Sequence, residues 1–265
     1  MALGFEGLLK LDGETCLATQ GTITILHDLI ESGGAYGGKW SGAQMATGAP
    51  HIYDPWKTSS NASFDMTSGA ASALAQRLNS RDETYNLTMQ MGQKGDRITI
   101  KQYWTDINFA SSVGSLTTGG INGIIFQKYE LAGVSLTQPN ARGNEYGRCG
   151  GLIPYWMTNI SIGDCVQEWS VGINQSLSPI YCCNAENISY KVHRDPDYIV
   201  FGPVIINLNV TMASGTVSEK DNLTVTIGST QLNFGRVELQ EASDNLSTGE
   251  GLSTIQATYR AYRFD

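Results

Sequence analysis

Three histidines, His27, His51 and His193, are the side chains whose ordinary pKa suits proton transfer near neutral pH. None stands in an HExxH, HxxxH or His/Cys pattern, so each reads as a surface or hydrogen-bonded structural residue. Asp82 and Glu83 are adjacent, and Asp195 and Asp197 flank Pro196. Paired carboxylates can do acid–base work, but beside proline and turn formers their ordinary role is turn and cap chemistry. The five cysteines (Cys16, Cys149, Cys165, Cys182 and Cys183) are odd in number and form no CxxC pair. They signal neither a disulfide framework nor a zinc site and read as reduced thiols. No GxSxG elbow is present to hold a nucleophile. Lys39 follows Gly37 and Gly38 without the earlier spaced glycine of a P-loop. Gly119, Gly120 and Gly123 sit beside a strand pattern with no Rossmann helix after them, which suits hairpin geometry. Trp40, Trp56, Trp104, Trp156 and Trp169 are too scattered to form a stacking platform for single-stranded nucleic acid. The expectation is a chain without catalytic, metal or cofactor residues, in which tryptophans pack in a core or an interface.

Composition narrows the remaining classes. Charged residues make up 16% of the 265, and Gly, Ser, Thr and Asn fill the difference. That mixture suits strands and tight turns and is poor in the residues of long exposed helices. The formal charge is −8, with 10 basic and 13 acidic side chains in residues 1–145 and 7 and 12 in the remainder. Neither half supplies the concentrated cations that hold duplex phosphates. The opening MALGFEGLLKLDGETC lacks a basic stretch before an apolar run and does not read as a signal peptide. The most apolar stretch, residues 198–206 (YIVFGPVII), is too short for a membrane-spanning helix. Eight Asn-x-Ser/Thr triplets read as chance in so Asn-rich a chain.

The elements come from a repeat and from alternation. Residues 61–69 (NASFDMTSG) resemble 207–215 (NLNVTMASG), and residues 86–92 (NLTMQMG) resemble 222–228 (NLTVTIG). Weaker matches flank them: Asp54-Pro55 with Gly202-Pro203, residues 115–119 with 245–249, and 126–129 with 259–262. Two domains follow, 1–140 and 141–265, joined through the Gly-, Pro- and Asn-rich stretch 133–151. Period-two alternation places strands at 21–27, 57–66, 84–91, 96–104 and 121–130 in the first copy. The second copy has them at 165–173, 188–193, 199–212, 222–227, 231–239 and 253–263. Ile98, Ile100, and Gln102 or Trp104, form the inward set of one strand. Residues 68–79 (SGAASALAQRLN) read as a helix capped by Ser68, with Ala71, Leu74, Ala75 and Leu78 on one face. The second copy retains only TVSEKD at that place, enough for one turn or a loop. Long connections at 28–50 and 175–187 exceed the usual loop length, and loops of that size are usually functional or disordered.

The order of these elements resembles the tail tube proteins of long-tailed bacteriophages. The likeness rests on residues 164–174 (DCVQEWSVGIN) as a first strand, a long hairpin region, residues 205–212 (IINLNVTM) as the following core strand, and the helix SGAASALAQRL against one sheet. It covers nearly the whole chain as two units, and no residue-level functional site carries over. The resemblance implies a mainly β fold, two tandem β-sandwich or barrel domains with a short helix in the first, and no enzymatic activity. It implies stacked rings forming the conduit for genome ejection, located in the virion tail and assembled in the host cytoplasm. The partners so implied are further copies of the chain, other tail proteins, and DNA that passes without tight binding, with no membrane. The family's simplest member has one such domain, so two per chain imply a homotrimer making a pseudo-hexameric ring, with a homohexamer as the alternative. Residues expected to reach the adjacent ring are Gly33, Gly34, Tyr36, Gly37, Gly38, Lys39, Trp40, Pro179 and Tyr181. Asp96, Asp106, Glu238 and Glu241 are the carboxylates expected to face the lumen, where negative charge repels passing phosphate. A baseplate hub or adaptor ring and a carbohydrate- or receptor-binding module are the competing readings.

Overall fold

The computed structural model describes residues 7–12, 14–27, 56–91, 97–126, 151–162, 164–180, 196–214, 217–245 and 254–261. These form thirteen strands and one α-helix. In the first half they are β1 (Gly7–Leu11), β2 (Glu14–His27), β3 (Trp56–Asp65), α1 (Ser68–Asn79), β4 (Tyr85–Met91), β5 (Arg97–Ser112) and β6 (Thr118–Ile125). A 3-10 turn at Tyr155–Met157 leads into β7 (Thr158–Ile160). Then come β8 (Asp164–Ile180), β9 (Tyr198–Ser214), β10 (Leu223–Ile227), β11 (Thr230–Phe234), β12 (Val237–Asn245) and β13 (Thr254–Ala261). The fold is mainly β, as the alternation and the turn-rich composition require.

The strands pair antiparallel in two sheets. Ten form one sheet in the order β12-β13-β9-β8-β5-β4-β1-β2-β3-β6, with β5 also meeting β6; three form another, β11-β10-β7. The pairings of the first half recur in the second. β1 pairs β4 and β4 pairs β5, as β7 pairs β10 and β10 pairs β11. β2 pairs β3, β3 pairs β6 and β6 pairs β5, as β8 pairs β9, β9 pairs β13 and β13 pairs β12. Two differences stand out. β5 is one long strand where the second half has β11 and β12 separated at Gly235–Arg236, and β1 pairs β2 where no β7–β8 pairing is found among the described residues.

The halves are not separate bodies. Residues Asp106–Ser112 of β5 pair with Glu168–Asn174 of β8, which carries the ten-stranded sheet across the 140/141 boundary. One hydrophobic cluster holds Leu74, Trp104 and Phe109 from the first half together with Val171, Leu208 and Tyr259 from the second. Residues 152–154 reach back to the first half. Ile153 N–H donates to the Met66 carbonyl at 2.9 Å, and Thr117 N–H donates to the Ile153 carbonyl at 2.8 Å.

The helix forms where Ala, Leu and Gln favour it, and Thr67 caps it: its Oγ1 accepts from Ala70 N–H at 3.1 Å. The cap therefore lies one residue before the expected Ser68. Ala71, Leu74 and Leu78 are buried and Ala75 is partly buried, as their helical spacing demands. At its far end, Trp104 Nε1–H donates to the Arg77 carbonyl at 2.9 Å, so a core tryptophan satisfies a helix-terminal acceptor. In the second half, residues 217–221 are not helical, and Lys220 makes a bridge to Val237.

Several boundaries differ from those expected. β1 and β7 are strands too short for alternation to reveal, at five and three residues. β5 continues to Ser112 because a bulge between Trp104 and Asp106 shifts its parity, putting Gln102 and Trp104 and then Ile107 and Phe109 on the buried side. The segment 231–239 is two strands, and residues 175–180 belong to β8 instead of a loop. The proposed strand at 188–193, the stretch 133–150 and the connection 28–50 lie outside the described residues.

Candidate assembly surface

The ten-stranded sheet presents a second face, opposite the core. Its residues follow from alternation: Ile107, Phe109, Val171, Ile173, Leu208 and Val210 point inward, so their neighbours point out. Four rungs of directly opposed residues cross this face. The first runs Asn61, Asn122, Asp106, Asn174 and Ile205. The second runs Ser63, Gly120, Asn108, Gly172, Asn207, Arg260 and Glu238. The third runs Asp65, Thr118, Ala110, Ser170, Asn209, Thr258 and Glu241, and the fourth Ser112, Glu168, Thr211, Gln256 and Ser243.

Carboxamides and hydroxyls bond one another across these rungs. Thr258 Oγ1 donates to Asn209 Oδ1 at 3.0 Å, and Asn209 Nδ2 donates to Ser170 Oγ at 3.4 Å. Asp106 Oδ2 accepts from Thr105 Oγ1 at 2.9 Å and from Asn122 Nδ2 at 3.5 Å. Gly120 leaves space for this layer, since a Cβ there would lie 2.8 Å from Asn108 Oδ1. No rung carries an aromatic side chain. The charges on them are the carboxylates of Asp65, Asp106, Glu168, Glu238 and Glu241 and a single guanidinium, Arg260. These rungs are hydrogen-bonding and weakly acidic.

Two strand edges bordering this face are open. On β5, β4 pairs as far as Gln102 and β8 takes over at Asp106. On β12, Lys220 pairs at Val237 just as Thr84 precedes β4 beside β5, but Glu238–Asn245 meet no partner beyond β13 among the described residues. On β2, β1 pairs up to Ala18, and residues 19–27 have only β3 among the described residues. Leu239 and Ile23 on these edges are half-buried, whereas Ile107 and Ile173, opposed at the β5–β8 junction, are fully buried.

An arm leaves the sheet at one end. β5 covers β8 only to Asn174 and β13 covers β9 only to Ile206, so among the described residues Gln175–Ile180 and Tyr198–Ile205 pair only with each other. Six strand residues carry the arm about 20 Å past the junction. Gln175 anchors its base: Nε2 donates to the Trp104 carbonyl at 2.7 Å and to the Arg81 carbonyl at 3.3 Å. Tyr103 packs edge-on against Phe201 with centroids 5.5 Å apart.

Of the expected lumen carboxylates, Asp106, Glu238 and Glu241 share the polar face, and Asp96 lies outside the described residues. Of the expected inter-ring residues, Pro179 is on the arm opposite Ile199; Gly33, Gly34, Tyr36, Gly37, Gly38, Lys39, Trp40 and Tyr181 lie outside the described residues. His51, His193 and Asp195 lie outside them too, as does the side chain of His27. Asp82 and Glu83 are exposed in the turn after α1, and Asp197 immediately precedes the return strand of the arm, its N–H donating to the Ile180 carbonyl. Among the described residues no three His, Cys, Asp or Glu side chains converge, and no helix is long and apolar enough to cross a membrane. A cleft of about 140 Å³ lies between β7 and β8, lined by Thr158, Cys165 and Trp169, where the end of β5 occupies the β8 edge that a β7 partner would need. The open edges and the arm were missed in the sequence; the unusual length of the 175–187 connection was the one signal for the arm.

Inside the first half, a buried polar trio closes the space between β3, β4, β5 and β6. Gln102 Nε2 donates to Ser60 Oγ and to the Tyr85 hydroxyl. Gly123 carries no side chain because a Cβ would collide with Gln102. Burial pushes the Tyr85 hydroxyl well above the ordinary value of 10.0, against the lowering effect of its bonds to Gln102 and Ser60; burial also raises Tyr259. Both stay protonated in the fold at pH values where the unfolded chain has ionised them. For Tyr85, stability is therefore full below pH ~10 and falls as pH rises above it, by up to ~1.4 kcal/mol per pH unit, and Tyr259 acts in the same direction. Tyr85→Phe is expected to reduce that slope in urea unfolding between pH 9 and 11.5; an unchanged slope would show that Tyr85 is not a source of the alkaline loss.

No protein-family model matches the chain, and no curated protein matches its sequence.

Proposed function

We propose that the chain is a structural ring-forming protein of a phage tail, most economically the tail tube. Its two halves are diverged copies of one β domain, and three chains close into a pseudo-hexameric ring around a channel faced by the polar rungs. The observation that carries this reading is the β5–β8 junction. Because the halves have matching strand pairings, the junction between them is a template for the junction between chains. Superimposing the pairings puts β12 in the place of β5 and the β2 of the next chain in the place of β8. Glu238 then faces Thr24, Leu239 faces Ile23, Glu241 faces Thr22, Ala242 faces Gly21 and Ser243 faces Gln20. Apolar residues fall on the core side and polar residues on the rung side throughout. The two edges are different surfaces, so the contact is head-to-tail and produces a closed ring when its rotation closes. Closure also removes the exposed edges, which otherwise invite indiscriminate pairing.

The face supports the conduit. The four rungs offer DNA no basic patch to bind phosphate and no aromatic to stack a base, and their excess carboxylates repel the strand. The absence of aromatics from the rungs also weighs against a sugar-binding face. Single-particle electron microscopy and native mass measurement of the purified chain are expected to give rings of three chains with six similar lobes and an open centre. Particles that remain single chains at high concentration under virion-like salt would refute the assignment.

A further inference from the structure

Four apolar side chains stand exposed together where the β5–β6 turn meets the segment before β7. Val113 is 58%, Leu116 38%, Trp156 72% and Met157 48% exposed. The backbone beneath them is rigidly tied. Leu116 bridges Pro154, Tyr155 N–H donates to the Ser115 carbonyl at 3.2 Å, Met157 N–H to the Pro154 carbonyl at 3.0 Å, and Gly228 N–H to the Met157 carbonyl at 2.9 Å. Tyr155 braces Trp156 edge-on with centroids 5.3 Å apart. A tryptophan so exposed, yet held in one place, incurs little ordering cost on binding and is the residue type that most often anchors an interface.

A second exposed apolar group lies on the arm. Ile180 and Tyr198 are opposed across its two strands, with Val200 two residues on along the same face, at 43%, 66% and 47% exposure. The two groups sit at opposite ends of the same strands. Ser112, beside the first group, is paired with Glu168, and Ile180 lies twelve positions further along β8, a span of roughly 40 Å. One copy therefore cannot join its own two groups, and two copies can join them only by displacement along the strand axis.

We propose that the Trp156 platform is the socket for the Ile180–Tyr198 face of the arm of another copy of this chain in the neighbouring ring. The inference rests on the ring reading above and adds its axial contact: Tyr198 and Ile180 of one ring cover Trp156 and Met157 of the next. The contact is heterologous and leaves one free socket face and one free arm face on every stack, so it propagates without limit.

Rings of Trp156→Lys keep the arm and lose the socket; rings of Tyr198→Lys keep the socket and lose the arm. Both changes are at exposed positions, and an unchanged melting profile and ring mass establish that folding and ring closure persist. Each variant alone is expected to give single rings by electron microscopy where the unaltered protein gives stacks. Mixed in equal amounts, the two are expected to give stacks of two rings and none longer, because only one pair of complementary faces survives. Stacking by either variant alone as extensive as that of the unaltered chain would overturn the socket, as would a mixture containing only single rings. Absence of rings from the unaltered protein would remove the ring reading itself, and this proposal with it.

Discussion

Leu239→Lys and Ile23→Lys are each expected to abolish ring formation while leaving a folded, dispersed chain. Both residues are half-buried on open edges, so the lone chain keeps a lysine's charged end in water by extending its aliphatic stem. In the closed ring they take the places of Ile107 and Ile173, which are 0% and 1% exposed. A lysine there is either an unpaired buried charge, costing several kcal/mol, or a wedge that holds the edges apart. Natural sheets use inward lysines at edges for the same purpose. Sedimentation separates the outcomes, with Gln231→Lys as a control, since Gln231 is exposed on the three-stranded sheet away from both edges. Rings that persist in both edge variants would show that β12 and β2 do not meet.

Phe109→Ala is expected to lower stability by about 3–5 kcal/mol, the usual cost of deleting a buried aromatic side chain. That is a large share of the ~5–15 kcal/mol that holds a domain together. Phe109 is 1% exposed and stands between Gly119 of β6 and Val171 of β8, so its removal opens a void shared by both halves. The more informative expectation concerns cooperativity. Trp104 and Trp169 are buried in the first and second half, within the same cluster. Fluorescence of single-tryptophan variants that retain one or the other should report coincident denaturation midpoints, and Phe109→Ala should move both together. Two separated transitions would mean that the β5–β8 junction is a hinge between independent units.

Much of the architecture was readable because local chemistry agreed with tertiary structure. The NLT segments at 86–88 and 222–224 alternate cleanly, and both became short paired strands, β4 and β10. The helix was readable from Ala71, Leu74 and Leu78. What was hidden depends on distant pairing. β7 spans three residues and is a strand only because Val225 and its neighbours supply the partner. The bulge at Trp104–Asp106 breaks the period of two, so β5 seemed to end where it turns its other side inward. Residues 175–180, with two serines and a proline, resemble a loop, and the β9 partner makes them an arm. That Asp106, Glu238 and Glu241 lie on or beside strands could be read from alternation, whereas the junction edges required knowing which strands were already paired.

The short bridge between Lys220 and Val237 carries a consequence for fidelity. It blocks the open edge at one end, and β1, lying against β2 as far as Ala18, blocks the receiving edge at the other. An incoming neighbour cannot slide past either stop. A shift by one residue would also set Leu239 against a polar threonine, Thr22 or Thr24, in place of Ile23. In the ring proposed above, the joint would thus be keyed to one register.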